Sequence, residues 1–244
     1  QRTQTLREYL GEEIYNGFGN FFPQRAPIGR LSAIMHANWK ICLDAFVETY
    51  HFSTVHAASA SNLITSRDNP NGRIDALRLH PKHRIVTAIS NAEYKPTYVE
   101  SLVRQLSGNA TLSPDFEKAG KGFPPQINPL EAPDWASDIL IIFPMTNIQP
   151  LGGIYLTQDY WPISHDKTRW EMIIYMDPVQ NAAQDVLAEY NRVYFRDGVR
   201  EDLMNLAMVQ SNLSSGAKQY QFLGNMEPMV GHNYQVVADQ IGHG

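Results

Sequence analysis

Hydrophobic and polar positions along this chain change their spacing repeatedly, and the changes divide it into helical and extended segments. Helical spacing of the apolar residues predicts helices over 4–14, 38–50, 99–106, 180–195 and 199–214. Shorter runs with strand-like composition predict extended structure over 73–90, 139–144, 147–161, 169–176 and 231–238. Helices near both ends and consecutive strands between them indicate an α+β fold with an antiparallel sheet.

Two segments lack regular spacing and are predicted to be irregular. The Gly-, Phe- and Pro-rich residues that follow the first helix should form a connection through Arg30. Residues 108–137, which are rich in Gly, Pro and Asp, predict a long loop, and such loops are often functional. Strands resume directly after this loop, so it does not have the character of a linker. The whole chain, 1–244, is therefore predicted to be one domain.

Composition narrows the classes of protein to which the chain can belong. It is 43% hydrophobic and 18% charged with a net charge of −5, which is typical of a soluble globular protein and argues against nucleic-acid or anionic-membrane binding. No apolar run approaches the roughly 20 residues of a membrane-spanning helix, and no signal-peptide pattern is present. Cys42 is the one cysteine, which excludes an internal disulfide and any thiolate-rich cluster or zinc site built within this chain. A cytoplasmic location is expected.

The segment 38–59 contains the most informative group of ligating side chains. Asp44, Glu48 and His51 would share one face of a helix, because they are four and three residues apart. His56 follows His51 by five residues, which is about 140° out of phase on a regular helix. Both imidazoles can therefore meet one ion only if the helix ends or bulges between them, and the intervening residues are poor helix formers. The alternative is a coincidence of two ordinary surface or core histidines.

A carboxylate in the predicted helix 199–214 completes the candidate site. On a helical wheel Asp202 falls inside the apolar stripe, whereas its neighbour Glu201 points toward solvent. A buried carboxylate is costly unless it is paired, so Asp202 should have a cation or a hydrogen-bond donor. The alternative is that both acids complement the dipole at the helix N-terminus, which explains Glu201 better than Asp202.

Two histidines and one carboxylate form the facial triad that holds ferrous iron and leaves coordination positions open. Zinc, which accepts the same ligand types, is the chemical competitor. The usual zinc spacing of two histidines four residues apart, with a glutamate between them, is absent, and the pattern favours iron. On this hypothesis the replacement of Asp202 should abolish iron binding, whereas the replacement of Glu201 should leave it nearly intact. The remaining histidines have no partner pattern and are expected in surface or core roles; they are His36, His80, His83, His165, His232 and His243.

Several motifs along the chain occur together in one known protein family. The first group consists of Asn38-Trp39-Lys40, Phe46, Glu48, Tyr50-His51 and His56. Further matches are Phe143-Pro144, Glu201-Asp202, Val209-Gln210, Ser214, Glu227, Val230 and His232. Together these motifs resemble the catalytic domain of the large subunits of ring-hydroxylating oxygenases, the Rieske-type non-haem iron oxygenases.

The resemblance implies a fold and a set of site residues. The fold would be a helix-grip domain, in which an antiparallel sheet wraps around helices and a mononuclear iron site. His51, His56 and Asp202 would bind Fe(II). Glu48 would be the catalytic carboxylate that bridges from an iron-ligand histidine to a cluster-ligand histidine of the neighbouring subunit. The [2Fe–2S] Rieske domain is expected upstream in a longer polypeptide.

The resemblance also implies an activity and partners. We expect O2-dependent and Fe(II)-dependent hydroxylation or oxidative demethylation of an apolar, aromatic or cyclic small molecule, as in aromatic hydrocarbon catabolism. Electrons would come ultimately from NAD(P)H through a ferredoxin or flavin reductase, and the assembly would be a homotrimer or α3β3. Ala45 stands where dihydroxylating members often have Asn, so aromatic-ring cis-dihydroxylation is the alternative. An alternative of another class is a non-catalytic carrier of hydrophobic ligands. Such a carrier would have no need to place four potential metal-site residues together, namely Glu48, His51, His56 and Asp202.

Overall fold

One antiparallel sheet organises the described part of the chain, which in this computed structural model comprises residues 4–21, 25–107, 123–217 and 220–242. Its strands are β1 (Ala26–Met35), β2 (Arg73–Leu79), β3 (Arg84–Ile89), β4 (Trp135–Ile142), β5 (Thr146–Leu151), β6 (Ile154–Ser164) and β7 (Lys167–Met176). Their order across the sheet is β1-β7-β6-β5-β4-β3-β2, and every neighbouring pair is antiparallel. Strands β2 to β7 therefore form a meander, and β1, which pairs with β7, is the edge strand opposite β2.

Helices cover both faces of this sheet. They are α1 (Leu6–Leu10), α2 (Glu12–Phe21), α3 (Trp39–Asp44), α4 (Phe52–Val55), α5 (Ser61–Ile64), α6 (Tyr98–Ser107), α7 (Ala182–Ser214) and α8 (Pro228–Ile241). Helices α3, α7 and α8 lie on the face that carries the candidate site, and α2 packs on the other face. At about 1.5 Å per residue, the 33 residues of α7 extend about 50 Å. None of the described helices has both the length and the apolar character required to cross a membrane.

Strand β3, which lies next to the edge strand β2, shows how one sheet separates two hydrophobic clusters. Val86 and Ala88 face the larger cluster, which includes side chains from α3, α7 and α8. Ile85 faces the opposite way, into a smaller cluster with Ile14 and Phe18 of α2. Every side chain of β3 is buried, because successive residues alternate between two covered faces. The predicted α+β class with an antiparallel sheet packed against helices is confirmed, and the sheet stays open because β1 and β2 are opposite edges.

Several predicted elements are confirmed, and their boundaries follow the turn residues. The hairpin over 73–90 corresponds to β2 and β3, and the helix over 99–106 corresponds to α6. The strands over 139–144 and 169–176 correspond to β4 and β7. The apolar run over 147–161 forms two strands, because the chain turns at Gly152, whose φ of +52° suits a residue without a side chain.

Other predicted elements are wrong. The segment 231–238 is part of helix α8 rather than a strand, and the two helices predicted over 180–195 and 199–214 are one continuous helix, α7. The expected connection through Arg30 contains the first five residues of β1.

The remaining differences concern the N-terminal helix and the long loop. The helix predicted over 4–14 is divided at Gly11, which has a φ of +79°. Of the predicted loop 108–137, residues 108–122 lie outside the described part of the chain, residues 123–134 are irregular, and β4 begins at Trp135.

Candidate metal centre

The two histidines of the candidate site stand at opposite ends of the one-turn helix α4. His51 precedes α4 and His56 follows it. Because α3 already ends at Asp44, the prediction of one helix through 38–50 is wrong, and the irregular stretch begins before His51 rather than between the histidines. The imidazole centroids are 5.2 Å apart and their planes are inclined by 64°. The two rings, which flank this single helical turn, therefore lie close enough to face one ion.

Asp202 of α7 completes the group of ligand atoms. Its Oδ1 lies 3.1 Å from His56 Nε2 and 3.7 Å from His51 Nε2. One ligand atom from each of the three residues can be chosen so that all lie within 4.8 Å of one another. Metal–ligand bonds of about 2.0–2.2 Å place neighbouring ligand atoms roughly 3–4 Å apart, and both distances from Asp202 Oδ1 to the imidazoles fall in this range.

The charge of Asp202 supports the same interpretation. The residue is 7% exposed, as the apolar stripe predicted. Within the described residues, its ion pairs are those with His51 and His56. A buried carboxylate without a lysine or arginine partner is stabilised by another nearby positive charge, which a divalent cation between the three side chains would supply.

Glu48 holds the imidazole of His51 in position. Its Oε1 lies 2.5 Å from His51 Nδ1, and its Oε2 accepts a hydrogen bond of 3.2 Å from the backbone N–H of His51. With Nδ1 turned to Glu48, the Nε2 atom of His51 faces Asp202. A carboxylate on the far nitrogen of a ligating histidine fixes the tautomer and ring orientation. Glu48 is itself buried, so this contact is shielded from water.

Glu201 holds the second imidazole in the same manner, and the expectation that it faces solvent is wrong. Its Oε2 lies 2.8 Å from His56 Nδ1 and accepts a hydrogen bond of 2.5 Å from Ser59 Oγ. The side chain is 27% exposed. The helical wheel considered α7 by itself and contained no information about α4, which covers this side of α7. No local sequence pattern connects Glu201 to Ser59 or His56.

The electrostatic surroundings of His56 differ from those of Asp44. Burial alone would lower the pKa of His56, but Asp202 and then Glu201 outweigh this effect and raise it.

Asp44 does not share a face with Glu48 and His51 as predicted. It lies toward α8, where burial raises its pKa to about 7 despite hydrogen bonding to Tyr234 and the charge of Arg84. Asp44 thus belongs to the packing between α3 and α8.

A cavity of about 170 Å³ opens beside the three ligands. Most of its lining is apolar, including Phe46, Ala88, Ile139, Leu156, Met172 and Phe195. Its uncharged polar lining consists of Thr49, Ser90, Ser137, Tyr194, Gln149 and Gln158. Neither lysine nor arginine is among the described residues that line it. The site therefore combines a group of metal-ligand type with a space suited to a mainly apolar small molecule.

The chain belongs to the family of ring-hydroxylating alpha subunits, because the profile of that family's catalytic domain matches residues 24–243. No curated protein sequence matches the chain significantly. Family membership agrees with the motifs seen in the sequence, and it makes this chain a relative of non-haem iron oxygenases.

Solved structures of Rieske oxygenases share the fold. Naphthalene 1,2-dioxygenase from Rhodococcus sp., bound to indole, matches with a TM-score of 0.65 and 14% identity over 98% of this chain and 62% of its own. A quaternary ammonium Rieske monooxygenase, described with carnitine oxidation by gut microbiota and inter-subunit electron transfer, matches with a TM-score of 0.61 and 16% identity. The match covers 97% of this chain and 56% of that protein. Dicamba monooxygenase bound to 3,6-dichlorosalicylic acid matches with a TM-score of 0.55 and 9% identity. The match covers 91% of this chain and 61% of that protein. The chain thus spans little more than half the length of these relatives.

Proposed function

We propose that this chain is the catalytic part of an oxygenase that uses O2 and Fe(II) to hydroxylate or oxidatively demethylate an apolar, aromatic or cyclic small molecule. The observation that carries the proposal is the buried Asp202 carboxylate, which faces the Nε2 atoms of His51 and His56 beside an apolar cavity. Two imidazoles and one carboxylate are the ligands of the facial iron triad. Membership in the ring-hydroxylating family supports iron over zinc.

Each side chain of the site has a distinct part in this proposal. Bound ferrous iron would supply the dioxygen-activating chemistry, and His51, His56 and Asp202 would hold it from one side, leaving positions open for O2 and substrate. Glu48 and Glu201 would keep the two imidazoles in the tautomer that directs Nε2 toward the metal. The apolar lining of the cavity would exclude water and orient the substrate.

Glu48 is proposed to do more than orient His51. We propose that it connects His51 to a histidine of the Rieske [2Fe–2S] cluster in a neighbouring subunit, so that electrons reach the iron across a subunit interface. The buried contact between Glu48 and His51 Nδ1 is the half of this path that lies within the chain. A homotrimer or α3β3 assembly, a ferredoxin or flavin reductase, and NAD(P)H as the ultimate electron source belong to the same proposal. The cluster would be supplied by sequence outside residues 1–244, which form the catalytic domain.

Ala45 supports single hydroxylation or demethylation over ring cis-dihydroxylation. Its methyl group lines the cavity next to Phe46 and offers no hydrogen bond where dihydroxylating members of the family often have an amide. Analysis of the product formed from a simple aromatic such as naphthalene distinguishes the two activities. A cis-diol as the main product would favour the dihydroxylase.

Metal analysis tests the proposal directly. The purified protein should contain about one iron per chain, and Asp202→Ala should abolish iron retention because it removes the only carboxylate of the triad. Asp197→Ala is the matched control, since Asp197 lies on the same helix but is half exposed and paired with Arg196. Equal iron content in the two variants would contradict the assignment. Stoichiometric zinc would support a different metalloenzyme, and tight binding of apolar ligands without any metal would support the carrier.

A further inference from the structure

Gln158 is a polar side chain of the cavity whose orientation is fixed by two neighbouring donors. Gln158 of β6 lines the cavity and is 1% exposed. Its Oε1 accepts a hydrogen bond of 3.0 Å from Trp170 Nε1 and another of 2.9 Å from the hydroxyl of Tyr160. An amide oxygen has two lone pairs, and these two donors use both of them.

The indole of Trp170 removes the usual ambiguity about which end of a glutamine amide is oxygen. An indole N–H can only donate, so the atom that it contacts must be an acceptor. Burial raises the pKa of the Tyr160 hydroxyl well above its usual value, which keeps that group protonated and able to donate. The amide of Gln158 is thus locked with its oxygen toward Trp170 and Tyr160, and its Nε2 group faces away from them.

No residue in the described part of the chain accepts a hydrogen bond from Gln158 Nε2. This atom carries two N–H donors, and a donor that a bound molecule seals from water needs a new partner. The anchored amide also shares its cavity with the metal ligands, because Gln158, His56 and Asp202 all line it. A molecule that pairs with Gln158 would therefore be held close to the candidate metal site.

The rest of the lining determines which acceptors can reach this donor. Glu48 and Asp202 are the charged carboxylates that line the cavity, and no lysine or arginine among the described residues lines it. The two positive charges of a ferrous ion would already be balanced by these two carboxylates, so an anionic ligand would be desolvated without a further counter-charge, which is costly. The acceptor that fits is therefore the oxygen of an uncharged group on an otherwise apolar frame.

We propose that the substrate of this site is a neutral, mainly apolar ring compound with a carbonyl-type oxygen that accepts a hydrogen bond from Gln158 Nε2. The inference rests on the proposed oxygenase function, since it names the class of substrate for that site. It assigns Gln158 as a specificity-determining residue, and Trp170 and Tyr160 as the side chains that fix its orientation. The oxygen of the substrate would lie about 2.7–3.2 Å from Nε2.

Four probes with the same bicyclic frame test the proposal: 1-indanone, indane, indane-1-carboxylate and 1-aminoindane. Their dissociation constants are measured by calorimetry on the full chain, both metal-free and loaded with Fe(II) under anaerobic conditions. We expect 1-indanone to bind about tenfold more tightly than indane, which is the effect of one additional hydrogen bond. Equal affinity of the ketone and the hydrocarbon, or tighter binding of the anion or the amine than of the ketone, would overturn the proposal.

Two substitutions with the same chemistry locate the donor. Gln158→Glu keeps an acceptor for Trp170 and Tyr160 but removes the amide donor, so the tenfold preference for the ketone should disappear. Gln184→Glu is the matched control, because Gln184 lies outside the cavity and its Oε1 likewise accepts a hydrogen bond, from the backbone N–H of Gln180. The preference should persist in this control, and its loss there, or its survival in Gln158→Glu, would overturn the assignment to Gln158.

A third substitution keeps the test informative if Gln158→Glu does not fold. Trp170→Phe removes the N–H that prevents the amide from turning over, so the preference for 1-indanone should become smaller; an unchanged preference would count against the anchor. Circular dichroism confirms that each variant is folded. Iron content is measured separately. If the wild-type protein retains iron but does not prefer 1-indanone, the proposed substrate class alone is refuted. If it prefers 1-indanone but does not bind iron, the proposed oxygenase function alone is refuted.

Discussion

Two buried histidine environments in this molecule differ in what their ring nitrogens contact. His83, on the opposite side of the sheet from the candidate site, uses both nitrogens within the fold: Nε2 donates to the backbone oxygen of Tyr9 at 2.8 Å, and Nδ1 accepts from the backbone N–H of Phe143 at 3.1 Å. His51 and His56 each use only Nδ1 for a supporting carboxylate, and each turns Nε2 toward Asp202.

The pKa values of the two environments shift in opposite directions. Burial lowers the pKa of His83, because backbone partners do not compensate the cost of a buried positive charge. At His56 burial acts in the same direction, but the carboxylates of Asp202 and Glu201 outweigh it and raise the pKa. The comparison teaches that burial alone does not identify a ligating histidine. A carboxylate on one nitrogen, together with an acid that faces the other and has no lysine or arginine partner among the described residues, distinguishes the candidate ligands from a structural histidine.

The largest contrast should appear when one histidine of each kind is removed. His56→Ala should lose nearly all iron while the protein remains folded, because the ligand contributes to the site more than to the core. His83→Ala should keep iron in the folded fraction but lower the free energy of unfolding by about 1–3 kcal/mol, since it leaves buried backbone groups of Tyr9 and Phe143 unpaired. Iron per folded chain and urea unfolding measure the two effects. Iron loss in a stable His83→Ala protein would break the distinction.

The second largest effect concerns the carboxylate behind His51. In the full-length protein, Glu48→Gln should keep the iron and the reduced cluster but slow turnover by orders of magnitude, because it removes the charge proposed to connect the two metal sites. Single-turnover kinetics with a pre-reduced cluster measure the step. Turnover at the wild-type rate would rule out the bridging role. Loss of iron instead would show that Glu48 only orients His51.

A smaller effect is expected at the carboxylate behind His56. Glu201→Ala should weaken iron binding by about 10–100-fold, which is typical when the supporting partner of a ligating histidine is removed. Glu189→Ala, an exposed glutamate of the same helix that pairs with Arg192, is the control and should bind iron normally. Competition with a metal-ion chelator gives both affinities. Normal affinity in Glu201→Ala would restore the expectation, drawn from the helical wheel, that this side chain is dispensable.

The smallest effect should be a change in the pH dependence of stability. Because the folded-state pKa of His83 lies below its ordinary value of 6.5, its contribution to stability is present above that value and is lost as the pH falls through the folded-state pKa. His83→Gln cannot titrate, so its Tm should fall less than that of the wild type between about pH 7.5 and pH 5. Thermal melts at several pH values measure the difference. Parallel curves for the two proteins would contradict the lowered pKa.

The sequence predicted the sheet better than it predicted the helices. Strands of the meander were recognisable because they are short runs rich in β-branched and aromatic residues that are bounded by turn residues. Helix α8 was taken for a strand because Val236, Val237 and Tyr234 favour extended structure, yet the buried residues Met229, Val230, Asn233 and Val236 follow helical spacing. Tertiary burial thus overrode local preference.

The candidate ligands were recognisable from sequence, whereas their support was not. His51, His56 and Asp202 stood out through residue type, spacing and the family motifs. The contact of Glu201 with His56 depends on α4 packing against α7, and the two residues are 145 positions apart. The orientation of Gln158 likewise depends on Trp170 in the neighbouring strand. Such contacts arise from the packing of distant elements, which a pattern within one segment does not encode.

The candidate ligands and the lining of the cavity belong to different parts of the architecture. His51, His56 and Asp202 lie on α7 and at the ends of α4, whereas Gln149 and Gln158 project from strands of the sheet. A substitution on a strand can alter which small molecule the cavity accepts without displacing a metal-ligating side chain. Proteins with this arrangement can change their substrate range by single mutations while the metal-binding group is inherited unchanged. The capacity to evolve new specificities is therefore a property of the fold itself.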